Sequence, residues 1–291
     1  MSEFTGYLIE KYNNMGDAYT SRRFLEEASF RNIHLNLIGA CDTSIRDDGI
    51  FFVREGIETA LPKVDFAMMR FKGKSMIQQI STISKYQYNA LSPYVFYLNK
   101  IQQLQTLSSS FFVKPHYMIG TKETAFISIS SYLGLPFVMK GLESSQGQEV
   151  FLIQSQEDYE MSTLQFPLEK EWLFEEYIQT SYGRDIRMYV LRGKILGVME
   201  RQSQGDFRAN VYLGAKVHPL EPNEILHKIA WDLYEQSHLD MMGIDLLYGK
   251  EGYVFCEVNC MPGIYGMEQA CKINVAGAVM DMIKGDLCHD C

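Results

Sequence analysis

The chain has 291 residues, 46% of them hydrophobic and 22% charged, with a formal net charge of -9. That balance is ordinary for a soluble globular protein, and the excess of acid excludes a general nucleic-acid binder, which needs a clustered Lys/Arg surface to meet phosphate. No apolar run reaches the roughly 20 residues of a membrane helix, and MSEFTGYLIEKYNN has no basic segment followed by an apolar one, so no signal peptide is expected and the expected compartment is the cytoplasm.

YLIE (7–10) reads as a short strand, TSRRFLEEASFRN (20–32) as a helix, and IHLNLIG (33–39) and VDFAMMRF (64–71) as strands. Strand, helix, strand in that order implies a small α/β unit with a partly parallel sheet. No GxGxxG follows the first strand, so a dinucleotide site is not indicated. SIRDDGIFFVREG (44–56) reads as a turn or hairpin on this unit.

From about residue 96 the pattern changes. Leu98, Ile101, Leu104 and Leu107 make a helical stripe over 97–110, with Lys100 at its start. Pro115 interrupts the strand FFVKPHYMIG. TKETAFISISSYLG reads as a helix with a Thr N-cap and a closing Gly. LPFVMKGLESSQGQEVFLIQ reads strand, Gly/Ser loop, strand; EDYEMSTLQF is a helix and EWLFEEYI a buried strand. DIRMYVLRGKILGVMERQ is a hairpin around Arg192-Gly193-Lys194, residues 221–239 form an amphipathic helix, and one helix is expected over GMEQACKINVAGAVMDMIKG.

Six cysteines (41, 256, 260, 271, 288, 291) show no paired zinc pattern. Cys288 and Cys291 have the spacing of half a site, but no second pair follows. The thiols are expected reduced and without a role.

The hairpin GIDLLYGKEGYVFCEVNCMPG (243–263) carries the most chemistry. Alternation puts Glu257 and Asn259 on one face of FCEVNC, with Phe255, and turns Cys256, Val258 and Cys260 the other way. The turn centres near Glu251, so Asp245 falls opposite Glu257 within a residue of register. Two facing buried carboxylates repel, and a divalent cation is the simplest neutraliser. Two carboxylates and an amide are all-oxygen ligands that suit Mg2+ or Mn2+. Magnesium completes its shell with water and phosphate, so a nucleotide phosphate is expected nearby. The alternative is a set of side chains facing water on a wet sheet.

No GxxxxGK[ST] stretch exists, so phosphate must be held without a P-loop. Lys100 and Lys140 lie on plausible elements, and a loop with Ser144, Ser145 and Gly147 can bring backbone N–H groups to phosphate. Each alone is also what a solvated lysine or an ordinary turn gives. LFEEYI can offer backbone groups to an adenine edge, with Asp185 placed for ribose hydroxyls or cations. Arg201, Arg208 and Asn210 lie in ERQSQGDFRAN, where arginine suits a transferring phosphoryl group; surface ion pairs are the alternative.

The ordered stretches NKIQQLQTL, VMK…SSQGQEV, EEYI…GRDIR, ERQSQGDFRAN, MGIDLL and EVNCMPGIYGMEQ, together covering about 95–285, resemble the ATP-grasp superfamily and its RimK-like branch of glutamate and amino-acid ligases. The resemblance implies an α/β and α+β chain: an ATP-grasp fold preceded by a small Rossmann-like (pre-ATP-grasp) domain. The expected organisation is an N-terminal α/β domain over 1–95, a central ATP-grasp subdomain over 96–175 and a C-terminal one over 176–291. It further implies an ATP-dependent carboxylate–amine ligase. Lys100 and Lys140 would meet the phosphates, with the Ser144–Gly147 loop as a lid. Glu176, Tyr177 and Ile178 would form the adenine hinge, and Asp185 would lie near the ribose. Arg208 and Asn210 would meet the terminal phosphates and an acyl-phosphate, making Lys140, Arg208 and Asn210 the catalytic set. Asp245, Glu257 and Asn259 would hold Mg2+ or Mn2+, two ions.

The chain departs from the family where RSN is usual (Arg208-Ala209-Asn210) and where NxSPG is usual (Asn259-Cys260-Met261-Pro262-Gly263), both on the acceptor side. The implied partners are ATP, an amino acid or amine, and a carboxylate borne by a peptide, a protein or a small molecule, with glutamate the branch's commonest addition. Many relatives are homo-oligomers. The alternatives are an ATP-grasp phosphotransferase and a catalytically silent nucleotide-binding module.

Overall fold

The computed structural model describes residues 4–12, 18–144, 147 and 149–289; Ser145 and Cys291 lie outside them. The chain begins with β1 (Phe4–Glu10), α1 (Tyr19–Phe30) and β2 (Ile33–Gly39), as the pattern predicts. The stretch expected to be one hairpin is a three-stranded antiparallel meander, β3 (Thr43–Arg46), β4 (Gly49–Arg54) and β5 (Ile57–Ala60). β6 (Val64–Met69) returns beside β1, and α2 (Lys74–Ser81) leads to β7 (Ser84–Tyr88). The resulting sheet, β2-β1-β6-β7, is parallel throughout rather than in part. It is buried on both faces, as parallel sheets are: Leu8, Phe66 and Met68 pack on one side, Tyr7, Ile9, Ala67 and Met69 on the other.

The helix expected over 97–110 is shorter, α4 (Lys100–Thr106), and a separate helix, α3 (Leu91–Tyr97), precedes it. Asn99 separates them. Its backbone is extended, and its side chain accepts the Ile101 N–H at 2.8 Å, an N-cap that starts a new helix at Lys100. β8 (Phe112–Val113) and β9 (Tyr117–Gly120) flank Pro115. α5 (Phe126–Leu133) is entered at Ala125 with no side-chain cap. The threonines expected to cap it instead close the turn before it: Thr124 Oγ1 accepts the Thr121 N–H, and Thr121 Oγ1 the Glu123 N–H. β10 (Phe137–Gly141), β11 (Val150–Ile153), α6 (Gln156–Thr163) and β12 (Trp172–Glu176) follow. The sheet β11-β10-β12-β9 is antiparallel, with Phe137, Met139, Trp172 and Phe174 packed toward α5 and α6 through Ile129 and Tyr159.

The last third opens with β13 (Arg184–Leu191) and β14 (Lys194–Gln202). Arg192 and Gly193 between them both have positive φ (46° and 77°), the signature of a tight primed turn. β15 (Lys216–Pro219), α7 (Glu224–Ser237), β16 (Met241–Gly249) and β17 (Gly252–Asn259) come next. The expected last helix is split into α8 (Tyr265–Cys271) and α9 (Val275–His289) by left-handed Lys272 (φ 54°). The third sheet runs β15-β14-β13-β16-β17-β8. Its outer strand β8 comes from the stretch expected in the central subdomain and runs parallel to β17. Ile186, Met188, Val198, Leu246 and Phe255 on one face pack with Leu226, Ile229 and Leu233 of α7. Among the described residues, no helix is long and apolar enough to cross a membrane.

Two buried amides fix the β16–β17 hairpin. β8 covers only Tyr253 and Val254, which leaves the far end of β17 without a strand partner on that side. Gln103 of α4 takes the strand's place. Its Oε1 accepts the Val258 N–H at 2.7 Å, and its Nε2 donates to Val258 O at 2.8 Å. Asn89, after β7, works likewise. It accepts the Met241 N–H at 2.7 Å and donates to Met241 O and Cys260 O, each at 2.8 Å. Gln103→Leu keeps the volume but strands the N–H and C=O of Val258. We expect a stability loss of about 2–4 kcal/mol, read from the urea midpoint at unchanged denaturant slope.

Candidate active site

The site lies where the free faces of the second and third sheets meet. On β10 and β12, the residues alternating with the packed aromatics are Val138, Lys140, Leu173 and Glu175. Lys140 and Glu175 form an ion pair on that face. On the third sheet, Asp185, Arg187, Arg201 and Asp245 occupy one end of a face whose other end, Tyr189, Met199 and Met241, is packed in apolar core.

Asp245 and Glu257 pair across the ladder as expected, although the turn between Gly249 and Gly252 alone would set Asp245 opposite Cys256. The register then slips, with Leu246 opposite Phe255, so Cys256 is the extra residue of a bulge. Strict alternation turned Cys256 away. The bulge instead brings it to the same cavity as Glu257, 4.0 Å from Lys140 Nζ.

The facing carboxylates are also met by protein cations, which the sequence reading did not include. Arg187 Nε and Nη2 donate to the two oxygens of Asp245 at 2.6 and 2.5 Å. Arg201 Nη2 donates to Asp245 at 2.7 Å, and Arg201 also grips Asp185 through two bonds of 2.6 Å. Lys100 Nζ stands 3.4 Å from Glu257. Burial pushes the Glu257 carboxyl up, but Lys100, Arg187, Lys140 and Arg201 outweigh it and hold it at about 2. Burial also works against the charge on Lys140, and the nearby Glu175 and Glu257 more than restore it. Burial dominates at Cys256, pushing it up to about 12, so that residue is a neutral thiol.

The donor chemistry fits a hard divalent cation. Glu257 is an ionised carboxylate with 27% of its side chain exposed, and Asp245 stands opposite. Asn259 adds an amide oxygen two residues on, engaged here by the Met261 N–H at 3.0 Å. Among the described residues, no three His, Cys, Asp or Glu side chains form a ready-made metal group. A magnesium held here would take the rest of its shell from water and phosphate.

One cavity gathers Lys100, Lys140, Ser144, Gly147, Glu176, Tyr177, Ile178, Asp185, Arg208, Asn210, Asp245 and Glu257. Asn259 is outside its lining. Lys100 Nζ donates to Ser144 O at 2.8 Å, and Arg208 Nη1 to Gly147 O at 2.8 Å, so the loop between β10 and β11 is held from both sides. Gly147 has φ 73°, and a Cβ there would meet Asn210 Oδ1 at 3.2 Å, so the position favours glycine. Each carboxylate oxygen of Asp185 takes one bond from Arg201. Arg201, weighed above as a loop arginine, is a 2% exposed strand residue. A separate open cleft of about 530 Å³ lies across the same loop, lined by Glu143, Glu149, Lys170 and Glu171 among others.

The architecture is that of a nucleotide-grasping ligase: two sheets facing across a cavity lined with cations and carboxylates. The RimK-like ATP-grasp domain family matches residues 98–283, and the chain belongs to that family of ATP-dependent carboxylate–amine ligases. It is 30% identical over 278 residues to a probable alpha-L-glutamate ligase of Pseudoalteromonas translucida, covering 91% of each chain. The fold is shared with the RimK domain ATP-grasp protein of Sphaerobacter thermophilus (TM-score 0.71, 16% identity, 95% of this chain and 98% of that one). It is shared too with the macrocyclase MdnC of Microcystis aeruginosa, solved with its precursor peptide MdnA (TM-score 0.70, 15% identity, 97% and 99%).

Sequence reading missed Arg187, Glu175 and Cys256. The first two were within reach of period-2 alternation from Asp185 and Leu173; the bulge that turns Cys256 inward leaves no mark in the sequence. The guanidinium network predicts that Arg201→Met, which leaves Asp185 unpaired and Asp245 with one partner, costs about 3–5 kcal/mol of stability, measurable by chemical denaturation.

Proposed function

We propose that this ligase joins an amino acid, glutamate first among the candidates, to a carboxylate carried by a peptide or a small molecule. The observation that carries the reading is the single cavity in which Lys100, Lys140 and Arg208 meet Glu257 and Asp245. A glutamate ligase among the relatives and a peptide-bound macrocyclase among the fold neighbours support that substrate range.

In this reading, a substrate carboxylate oxygen attacks the γ-phosphorus of ATP, and the bond to the leaving ADP oxygen breaks. The amine nitrogen then attacks the acyl carbon, the C–N bond forms, and phosphate leaves as the amine loses its proton. Lys140, fixed by Glu175, and Lys100, fixed by Ser144 O, present ammonium groups to the phosphates. Arg208, steadied by Asp206 and bonded to Gly147 O, closes the loop over the transferring group and excludes water, which would hydrolyse an acyl-phosphate. Glu176, Tyr177 and Ile178, where β12 ends, hold the base, and Asn210 orients the acyl-phosphate. Asp185 acts through Arg201. Glu257, Asp245 and Asn259 would hold magnesium, or manganese, as two ions; when bound, the metal supplies charge stabilisation to the phosphoryl oxygens.

The chain is incubated with ATP, Mg2+, amino acids and peptides, and ADP, phosphate and product mass are followed. Equal release of ADP and phosphate with a new amide is the expected result. ADP without free phosphate would mark a phosphotransferase instead. Glu257→Gln should lower turnover at least about 100-fold with an unchanged circular dichroism spectrum; undiminished turnover removes Glu257 from the metal site.

A further inference from the structure

Lys72 lies in the loop after β6, outside the residues that match the ATP-grasp family. It nevertheless reaches the loop after β10, where it donates to Glu143 O next to the Ser144 O that Lys100 holds. Lys140 neighbours Glu175, Cys256 and Glu257. Lys100 stands beside Glu257. Lys100, Glu257 and Glu143 are among the charges that act on Lys72.

Two further features mark Lys72 as more than a surface charge. Three successive carbonyls of the loop after β10 are taken by these two lysines. Leu142 O accepts the Lys100 N–H at 3.2 Å, Glu143 O accepts from Lys72 Nζ at 2.5 Å, and Ser144 O accepts from Lys100 Nζ at 2.8 Å. A carbonyl is a weak partner for an ammonium group, and an arriving anion can displace it, because the lysine stem is flexible and its head carries three donors. Burial and the like charge of Lys100 both disfavour a protonated Lys72, a cost removed when an anion sits between the two.

We propose that the Lys72 ammonium, together with Lys100, binds the terminal phosphoryl group of the nucleotide. The inference rests on the ligase reading and extends it. The N-terminal parallel sheet would then supply one of the groups that distinguish ATP from ADP, and would keep hold of the phosphoryl group as it passes to the substrate carboxylate.

The test is calorimetric titration of the whole chain, with Mg2+, using ADP and the non-hydrolysable β,γ-imido analogue of ATP. Lys72→Met should weaken the analogue about tenfold, the worth of one charge-assisted bond, and leave ADP within about twofold. Lys72→Arg should recover most of the loss. Lys74→Met, which removes a neighbouring ammonium bonded to the exposed Glu143 carboxylate, should change neither affinity. Equal losses for both nucleotides in Lys72→Met would reduce Lys72 to a support for the loop and overturn the proposal, as would no loss for either. If the unaltered chain binds neither nucleotide, the ligase reading itself falls and takes the inference with it.

Discussion

Two carboxylates, Asp245 and Glu257, face each other across a hairpin, and most of the site follows from how their charge is tolerated. Unpaired, they would repel at close range in a medium that screens poorly. Arg187 comes from β13, Arg201 from β14 and Lys100 from the start of α4, so each neighbouring element gives one cation. Arg201 in turn needs Asp185, because two acids can share one guanidinium only in the right geometry. This network divides the inner face of the third sheet into a charged half that faces the cavity and an apolar half that packs on α8 and α9.

The hairpin that carries these charges is held in place by uncharged groups. Gln103 and Asn89 complete the backbone hydrogen bonding at its open end, one from the central stretch and one from the N-terminal sheet. The segment after β6 and helix α3 make further contact there. Arg70 donates to Pro262 O at 3.3 Å, and Tyr94 Oη lies 3.2 Å from Met261 Sδ. The tail after Asn259 is thereby clamped between the N-terminal and C-terminal sheets. A tail so clamped can face an acceptor without losing its position, whereas a free loop of this composition would have to be ordered at each turnover.

Local signals in the sequence carried far, and stopped where the answer depends on distant partners. Strand alternation and a turn near Glu251 brought Asp245 opposite Glu257 to within a residue, but the two-residue turn alone would pair Asp245 with Cys256, and the bulge completes the match. The bulge at Cys256 was not, since it arises in the ladder and no glycine or proline announces it. The split at Asn99 was legible in principle, as an Asn before Lys-Ile-Gln is a usual cap, but the apolar stripe running through it concealed the break. β8, two residues long, could not be assigned to a sheet from its own sequence. Arg187 and Arg201 are visible as arginines; that both donate to Asp245 depends on strand order, which no local pattern encodes.

The cavity lining sets five basic side chains against five acidic ones, so the case for a ligand rests on individual groups and not on net charge. Lys140 could have been neutralised by a thiolate at Cys256, but burial keeps that group a thiol, and Glu175 takes the role with one oxygen. Among the described residues, the other oxygen of Glu175 is buried and has no hydrogen-bond partner, a cost of about 1–3 kcal/mol. A ligand that brings both a hydrogen-bond donor and several negative charges removes that cost and meets Lys100, Lys140 and Arg208 together. A nucleotide carries the donor on its base or sugar and the charges on its phosphates. A carboxylate alone, or a free phosphate, could satisfy only the cations.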